Sequence, residues 1–256
     1  MSTIDLFSLK GKQGFITGAA RGIGKRIAEA YADLGANIAI VEVDITEATK
    51  TAGEIAAKYG VKCVAIECDV TNEDSVNAMI AKYEESFDSI DFAVNNAGIA
   101  NVFPAEEITA AAFKKVIDVN LNGVFLTAQA AGKLMIKKGV KGAIINTASM
   151  SGHVINRPQT IANYCASKGG VILLTKSLAI EWAKYGIRVN CVSPGYIATE
   201  LVASMKDMHP IWLKDVPADR LGTPDDLIGA YIYLASPASQ YATGTDLVVD
   251  GGYTSI

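Results

Sequence analysis

The chain has 256 residues, half of them hydrophobic and a fifth charged, with a formal net charge of -4. That balance argues against a broad basic surface for nucleic acid. No apolar run reaches the roughly 20 residues that cross a bilayer, so no membrane partner is expected.

The elements alternate from end to end. "GFIT" (14–17) is the first predicted strand, and the turn "TGAARGIG" (17–24) follows it. The next segment carries Ile23, Ile27, Ala30 and Leu34 at helical spacing. "NIAIV" (37–41) precedes a helix expected from about Thr46, and "CVAIE" (63–67) precedes one capped by "TNED". "FAVNN" (92–96), "AIINT" (143–147), "RVNCV" (188–192) and "DLVV" (246–249) complete seven strands. The runs are apolar without strict alternation, as in strands covered on both faces. Strands alternating with helices indicate an α/β fold: a Rossmann-type, doubly wound parallel sheet of about seven strands with helices on both faces. No repeat or linker divides the chain, so a single domain over 1–256 is expected. The irregular stretch at about 195–223, which holds "MKDMHPIWLKD", is a candidate lid.

The opening "MSTIDLFSLKGKQ" lacks the layout of a secretory signal, so the cytoplasm is the expected location. Cysteines 63, 68, 165 and 191 are too scattered for a disulfide framework and read as buried free thiols. Cys63 and Cys68 bracket one strand and should face opposite ways. Two histidines, His153 and His209, make a histidine-built metal site unexpected.

In the glycine turn, Gly18 permits a tight bend, Gly22 lets backbone approach a phosphate, and Gly24 allows close packing of helix on sheet. The helix start then offers free N–H groups to a pyrophosphate. Glycines alone can merely make a tight turn. Here the strand–turn–helix setting is met, and Glu42 ends the second strand, where a carboxylate suits the adenosine ribose hydroxyls.

Three further pieces follow in order: "NNAG" (95–98), "NTASMSG" (146–152) and "YCASK" (164–168). With "TGAARGIG", "PGYIATE" (194–200) and "VVDGGY" (248–253), they make the whole chain resemble the short-chain dehydrogenase/reductase superfamily, in its single-domain branch. The resemblance implies that Gly18, Arg21, Gly22, Ile23 and Gly24 line the pyrophosphate and ribose region of a nicotinamide cofactor. It implies that Asp69 and Val70 flank the adenine, and that Asn96, Ala97 and Gly98 pack along the ribose. Asn120, Ser149, Tyr164 and Lys168 match the catalytic residues. Tyr164 and Lys168 would also touch the cofactor, whose nicotinamide would be held by Pro194, Gly195, Ile197 and Thr199. A homotetramer is implied as well.

The chemistry agrees. A free tyrosine ionises at about pH 10, too high for ready proton transfer near neutrality. Lys168 shares a helix face with Tyr164 and, as a nearby cation, is expected to lower that value. Tyr164 would exchange a proton with the substrate oxygen, Ser149 would hydrogen-bond the same oxygen, and Asn120 would anchor a water leading from Lys168 to solvent.

The stretch between Ser149 and Tyr164 is longer than is usual in the superfamily. It resembles the branch of sorbose reductases, mannitol 2-dehydrogenases and xylulose reductases. A polyol or ketose is the expected substrate, contacted by His153, Asn156, Gln159 and Trp212 together with Ser149 and Tyr164. These loop residues also suit a solvated surface or an oligomer contact. Two other readings stand beside this one: a ketoreductase for 3-oxoacyl, steroid or other carbonyl substrates, and a non-catalytic dinucleotide sensor. NAD is the expected cofactor, because Glu42 would repel a 2′-phosphate and Asp44 adds negative charge. Arg21 pulls towards NADP, the alternative.

Overall fold

The apolar runs form seven strands in a computed structural model, which describes residues 2–256 apart from the side chains of Leu201 and Ser204. They are β1 (Gln13–Thr17), β2 (Asn37–Glu42), β3 (Cys63–Glu67), β4 (Phe92–Asn95), β5 (Ala143–Thr147), β6 (Arg188–Pro194) and β7 (Asp246–Val249). All pair in parallel, in the order β3-β2-β1-β4-β5-β6-β7. The order reverses between β1 and β4, which opens a crevice at the carboxyl ends of those strands.

Several helices begin on a side-chain cap. Between β1 and β2 lies α1 (Gly22–Asp33). Asp44 caps α2 (Ile45–Tyr59) by accepting from Thr46 N and Glu47 N, and Gly60, with φ +69°, ends it. Asn72 caps α3 (Glu73–Ser86) and Thr109 caps α4 (Ala110–Ile117). A π-helical turn, Asp118–Asn122, joins α4 to α5 (Gly123–Lys138). Next come α6 (Ala162–Trp182), α7 (Glu200–Ser204), α8 (His209–Trp212) and α9 (Pro224–Ala235). Thr223 and Asp226 close a capping box on α9.

The core lies in two layers, split by the alternation along each strand. Ile16, Ile38, Ile40 and Val94 face α1, α2 and α9 through Ile27, Tyr31, Ile55, Leu227 and Tyr231. Phe15, Ala39, Val41 and Ala93 face α3, α5 and α6 through Met79, Tyr83, Leu134 and Leu178. Cys63 packs with the first layer and Cys68 with the second, on opposite faces as their spacing predicts. All four cysteines are free.

The stretch read as irregular holds α7, α8 and three-residue 3-10 turns. It is pinned by an aromatic cluster of its own, in which Tyr196, Trp212, Val216 and Tyr253 pack with Met150. Among the described residues, no helix is long and apolar enough to cross a membrane.

Candidate active site

One cleft of about 1150 Å³ runs along the carboxyl ends of the strands, from the end of β2 to Trp212. At one end stands the glycine turn. Gly18 and Gly22 have φ of +63° and +57°, a region that side-chain-bearing residues avoid. A Cβ on Gly22 would meet only Thr199 Cγ2, at 3.7 Å. A Cβ on Gly24 would sit 2.2 Å from Gly18 O, so Gly24 permits close packing. Arg21 is the N-cap of α1 and gives no side-chain cap, which leaves the first-turn N–H groups free.

The turn is held in shape from β4. Asn96 Nδ2 donates to Thr17 O (3.2 Å) and Gly18 O (3.0 Å), while Thr17 Oγ1 accepts from Asn96 N and Ala97 N. Gly18, Arg21, Ile23, Glu42, Asp69, Val70, Asn96, Ala97 and Gly98 all line the cleft, as do Pro194, Gly195, Ile197 and Thr199. Gly22 and Gly24 shape the turn from outside that lining. The Glu42 carboxylate folds back to accept from Val43 N at 3.0 Å. Arg21 pairs with no carboxylate among the described residues. The uncapped helix start, the bare face of Gly22 and the carboxylate at the end of β2 fit a dinucleotide.

Ser149, Tyr164 and Lys168 meet midway along the cleft. Ser149 follows β5, and its Oγ accepts from Ser151 N at 3.1 Å. Tyr164 and Lys168 lie one turn apart on α6. Lys168 is 3% exposed; its Nζ donates to Thr147 O at 2.7 Å and stands 5.6 Å from the Tyr164 ring centre. Burial brings the ammonium down to about 8 from an ordinary value of 10.5.

One expectation about this centre is corrected. Tyr164 is not lowered by Lys168: burial raises it above its ordinary value, and hydrogen bonding by Ser149 is what pulls the other way. The Asn120 side chain spends both Nδ2 donors and one Oδ1 lone pair on protein partners. It is fully buried in the π turn, where Oδ1 accepts from Ile99 N (2.8 Å) and Nδ2 donates to Ile99 O (2.9 Å) and Ser167 Oγ (3.1 Å). Asn120 lies behind the cleft lining and fixes the loop after β4. π turns recur at functional sites, and this one sets Asn120 beside Gly98.

At the far end, Asn156, Gln159 and Trp212 line the cleft. Asn156 Oδ1 and Trp212 Nε1 are buried without a hydrogen-bond partner. Such orphaned groups cost roughly 1–3 kcal/mol each. His153 is a further correction: it lies outside the lining, with Nε2 2.7 Å from Asp246 Oδ2. Sequence reasoning passed over Tyr196 and Thr147, which both line the cleft. Tyr196 sits inside "PGYIATE", where its neighbours matched a motif; its aromatic ring between matched positions was the available signal.

Comparison with known proteins agrees with this geometry. A family model described as enoyl-(acyl carrier protein) reductase matches residues 18–254. A sorbose reductase of Candida albicans is 44% identical over 258 residues, covering 99% of this chain and 90% of that protein. The crystal structure of a short-chain type dehydrogenase/reductase from Mycobacterium marinum superposes with a TM-score of 0.96 at 49% identity, covering 99% of both chains. A gluconate 5-dehydrogenase from Burkholderia cenocepacia J2315, in complex with NADP and tartrate, superposes with a TM-score of 0.94 at 38% identity, covering 100% of both. With its seven-stranded parallel sheet and its Ser149, Tyr164 and Lys168 in one cleft with the glycine turn, the chain belongs to the short-chain dehydrogenase/reductase family and is a nicotinamide-dependent oxidoreductase.

Proposed function

We propose that the protein interconverts a polyol and a ketose. The observation that carries this reading is the meeting of Ser149, Tyr164 and Lys168 in a cleft whose far wall offers the polar groups of Asn156, Gln159 and Trp212. The likeness to a sorbose reductase over the whole chain supports it. The nicotinamide, when bound, supplies or takes the hydride. In reduction, the Tyr164 hydroxyl gives its proton to the carbonyl oxygen; in oxidation, the phenolate takes the proton of the alcohol. Ser149 donates a hydrogen bond to that same oxygen and places it. Lys168, with Nζ held against Thr147 O and 5.6 Å from the Tyr164 ring centre, fixes the floor of the cleft beneath the tyrosine. The segment around α7 and α8 acts as the lid.

A second reading, a ketoreductase for acyl substrates, is favoured by the apolar Val202, Met205 and Trp212 in the lid wall. A panel of polyols, ketoses and 3-oxo esters, followed by reduced-nicotinamide absorbance, separates the two. Turnover of ketoses above 3-oxo esters is expected.

The cofactor proposed is NAD. Glu42 lines the cleft at the end of β2, and its charge opposes a 2′-phosphate by about 1 kcal/mol per charge pair in water and about 4 at a partly screened surface. The free Arg21 guanidinium, and the NADP bound to the gluconate 5-dehydrogenase, favour the alternative. Glu42→Ala should raise kcat/KM with NADP relative to NAD. An unchanged ratio would assign the choice to Arg21.

The proposed assembly is a homotetramer in the cytoplasm. Exposed Phe125 on α5 and Leu173 and Ile180 on α6 support the assembly, and light scattering checks it. Four unbridged cysteines support a reducing compartment, which fractionation checks.

A further inference from the structure

Tyr196 follows the Pro194–Gly195 turn after β6. Its ring lies flat on Trp212, with centres 4.4 Å apart and planes 10° apart, and Tyr253 stands edge-on at 5.6 Å. Its hydroxyl donates to Gln159 Oε1 at 2.8 Å and accepts from Asn156 Nδ2 at 3.3 Å. One hydroxyl therefore orients two amides. With Oε1 engaged, Gln159 has its Nε2 donors to offer. With Nδ2 turned to Tyr196, Asn156 is left with Oδ1, which has no partner; Trp212 Nε1 has none either. Asn156 and Trp212 are each 1% exposed, and both belong to the wall of the cleft that holds Ser149 and Tyr164.

We infer that Tyr196 is the positioning residue of a hydroxyl-reading wall formed by Asn156, Gln159 and Trp212, and that this wall admits a neutral polyhydroxy chain and rejects one ending in a carboxylate. The inference rests on the polyol–ketose reading above. A hydroxyl is both donor and acceptor. Hydroxyls on one chain can thus meet the Asn156 acceptor and the Trp212 donor, both otherwise unpaired. Both residues line the cleft while the two atoms themselves are buried, so engaging them requires the Trp212 segment to make room. A carboxylate only accepts. It would set its charge against Asn156 Oδ1 and meet no cation on this wall, whose cleft-lining residues from 149 to 161 and from 194 to 212 are all uncharged; the lining cations Arg21, Lys114, Lys115 and Lys168 come from other segments.

The test uses the holoenzyme. For the parent, kcat/KM is measured for the best hexitol and for the hexonate of matching configuration. The hexitol should lead by about a hundred-fold, as expected when a buried charge goes unpaired. Next, kcat/KM for the best ketohexose is divided by that for hexan-2-one, in the parent and two variants. Tyr196→Phe keeps the stack on Trp212 and loses the hydroxyl; Trp212→Phe keeps an aromatic ring and loses the N–H. Each should lower the ratio about ten-fold, chiefly through the ketohexose KM. If Tyr196→Phe does not fold, Trp212→Phe and the parent's hexitol preference still decide. Equal use of the hexonate, or an unchanged ratio in the variants that fold, overturns the inference alone. A parent that converts no polyhydroxy compound overturns the proposed function and the inference with it.

Discussion

Lys168 is a cation placed where water cannot reach it, and its protonation is tied to folding. Burial holds it at about 8, against an ordinary 10.5. Between those two pH values the unfolded chain binds more protons at this position than the folded one, so stability rises with pH there. Below about 8 both states are charged, and the folded state bears the whole desolvation cost. Measured by urea unfolding without cofactor, the parent should therefore gain stability relative to Lys168→Met as pH rises from about 8 towards 10.5. A constant gap would mean the ammonium is not desolvated. At this scale the residues proposed to react were legible as candidates, because Ser149, Tyr164 and Lys168 sit in motifs whose order is informative, and the structure brings them into one cleft. His153 was not. Its partner Asp246 lies 93 positions away, on the last strand, and local polarity could not reveal that bond. Tyr196 was hidden for a similar reason: its role arises from Gln159 and Asn156, 37 and 40 positions back.

Among the elements, the π turn between α4 and α5 carries the most at this site. Asn120 at its centre satisfies both the N–H and the C=O of Ile99. Asn120→Ala leaves both groups unpaired, which should destabilise the protein by roughly 1–3 kcal/mol per group that stays buried. Ser167→Ala removes only one acceptor of Nδ2 and should cost less. Denaturant midpoints of the two variants check the order, and equal midpoints would contradict it. The strands could be read almost to the residue, since runs covered on both faces are apolar throughout and Gly, Asp or Asn punctuate their ends. The helices α7 and α8 could not. They span five and four residues, too few for a helical period to register, and Pro210 in "HPIW" reads as a break. The π turn itself carries no period-based signal.

The whole molecule brings distant chain segments to one crevice. The sheet order reverses between β1 and β4, so the glycine turn after β1 and the "NNAG" loop after β4 meet there, and Asn96 ties them together. Ser149 after β5, the start of α6 and the Pro194–Gly195 turn after β6 extend the same edge to Trp212. The alternation of strands and helices made the parallel sheet readable; that these segments share one site was readable through the family resemblance, and the strand order that brings them together was not read. The polarity of the far wall was readable only as composition, because which atoms stay unpaired depends on packing among Tyr196, Trp212 and Tyr253. The central claim is that Tyr164 moves the proton in ketose–polyol exchange. It is tested most directly by reduced-nicotinamide consumption with a ketohexose, comparing the parent with Tyr164→Phe while cofactor affinity is followed by fluorescence. The account predicts that kcat falls by at least roughly 10²–10⁴-fold with cofactor affinity nearly unchanged. A Tyr164→Phe enzyme that reduces the ketohexose at close to the parent's rate would contradict it.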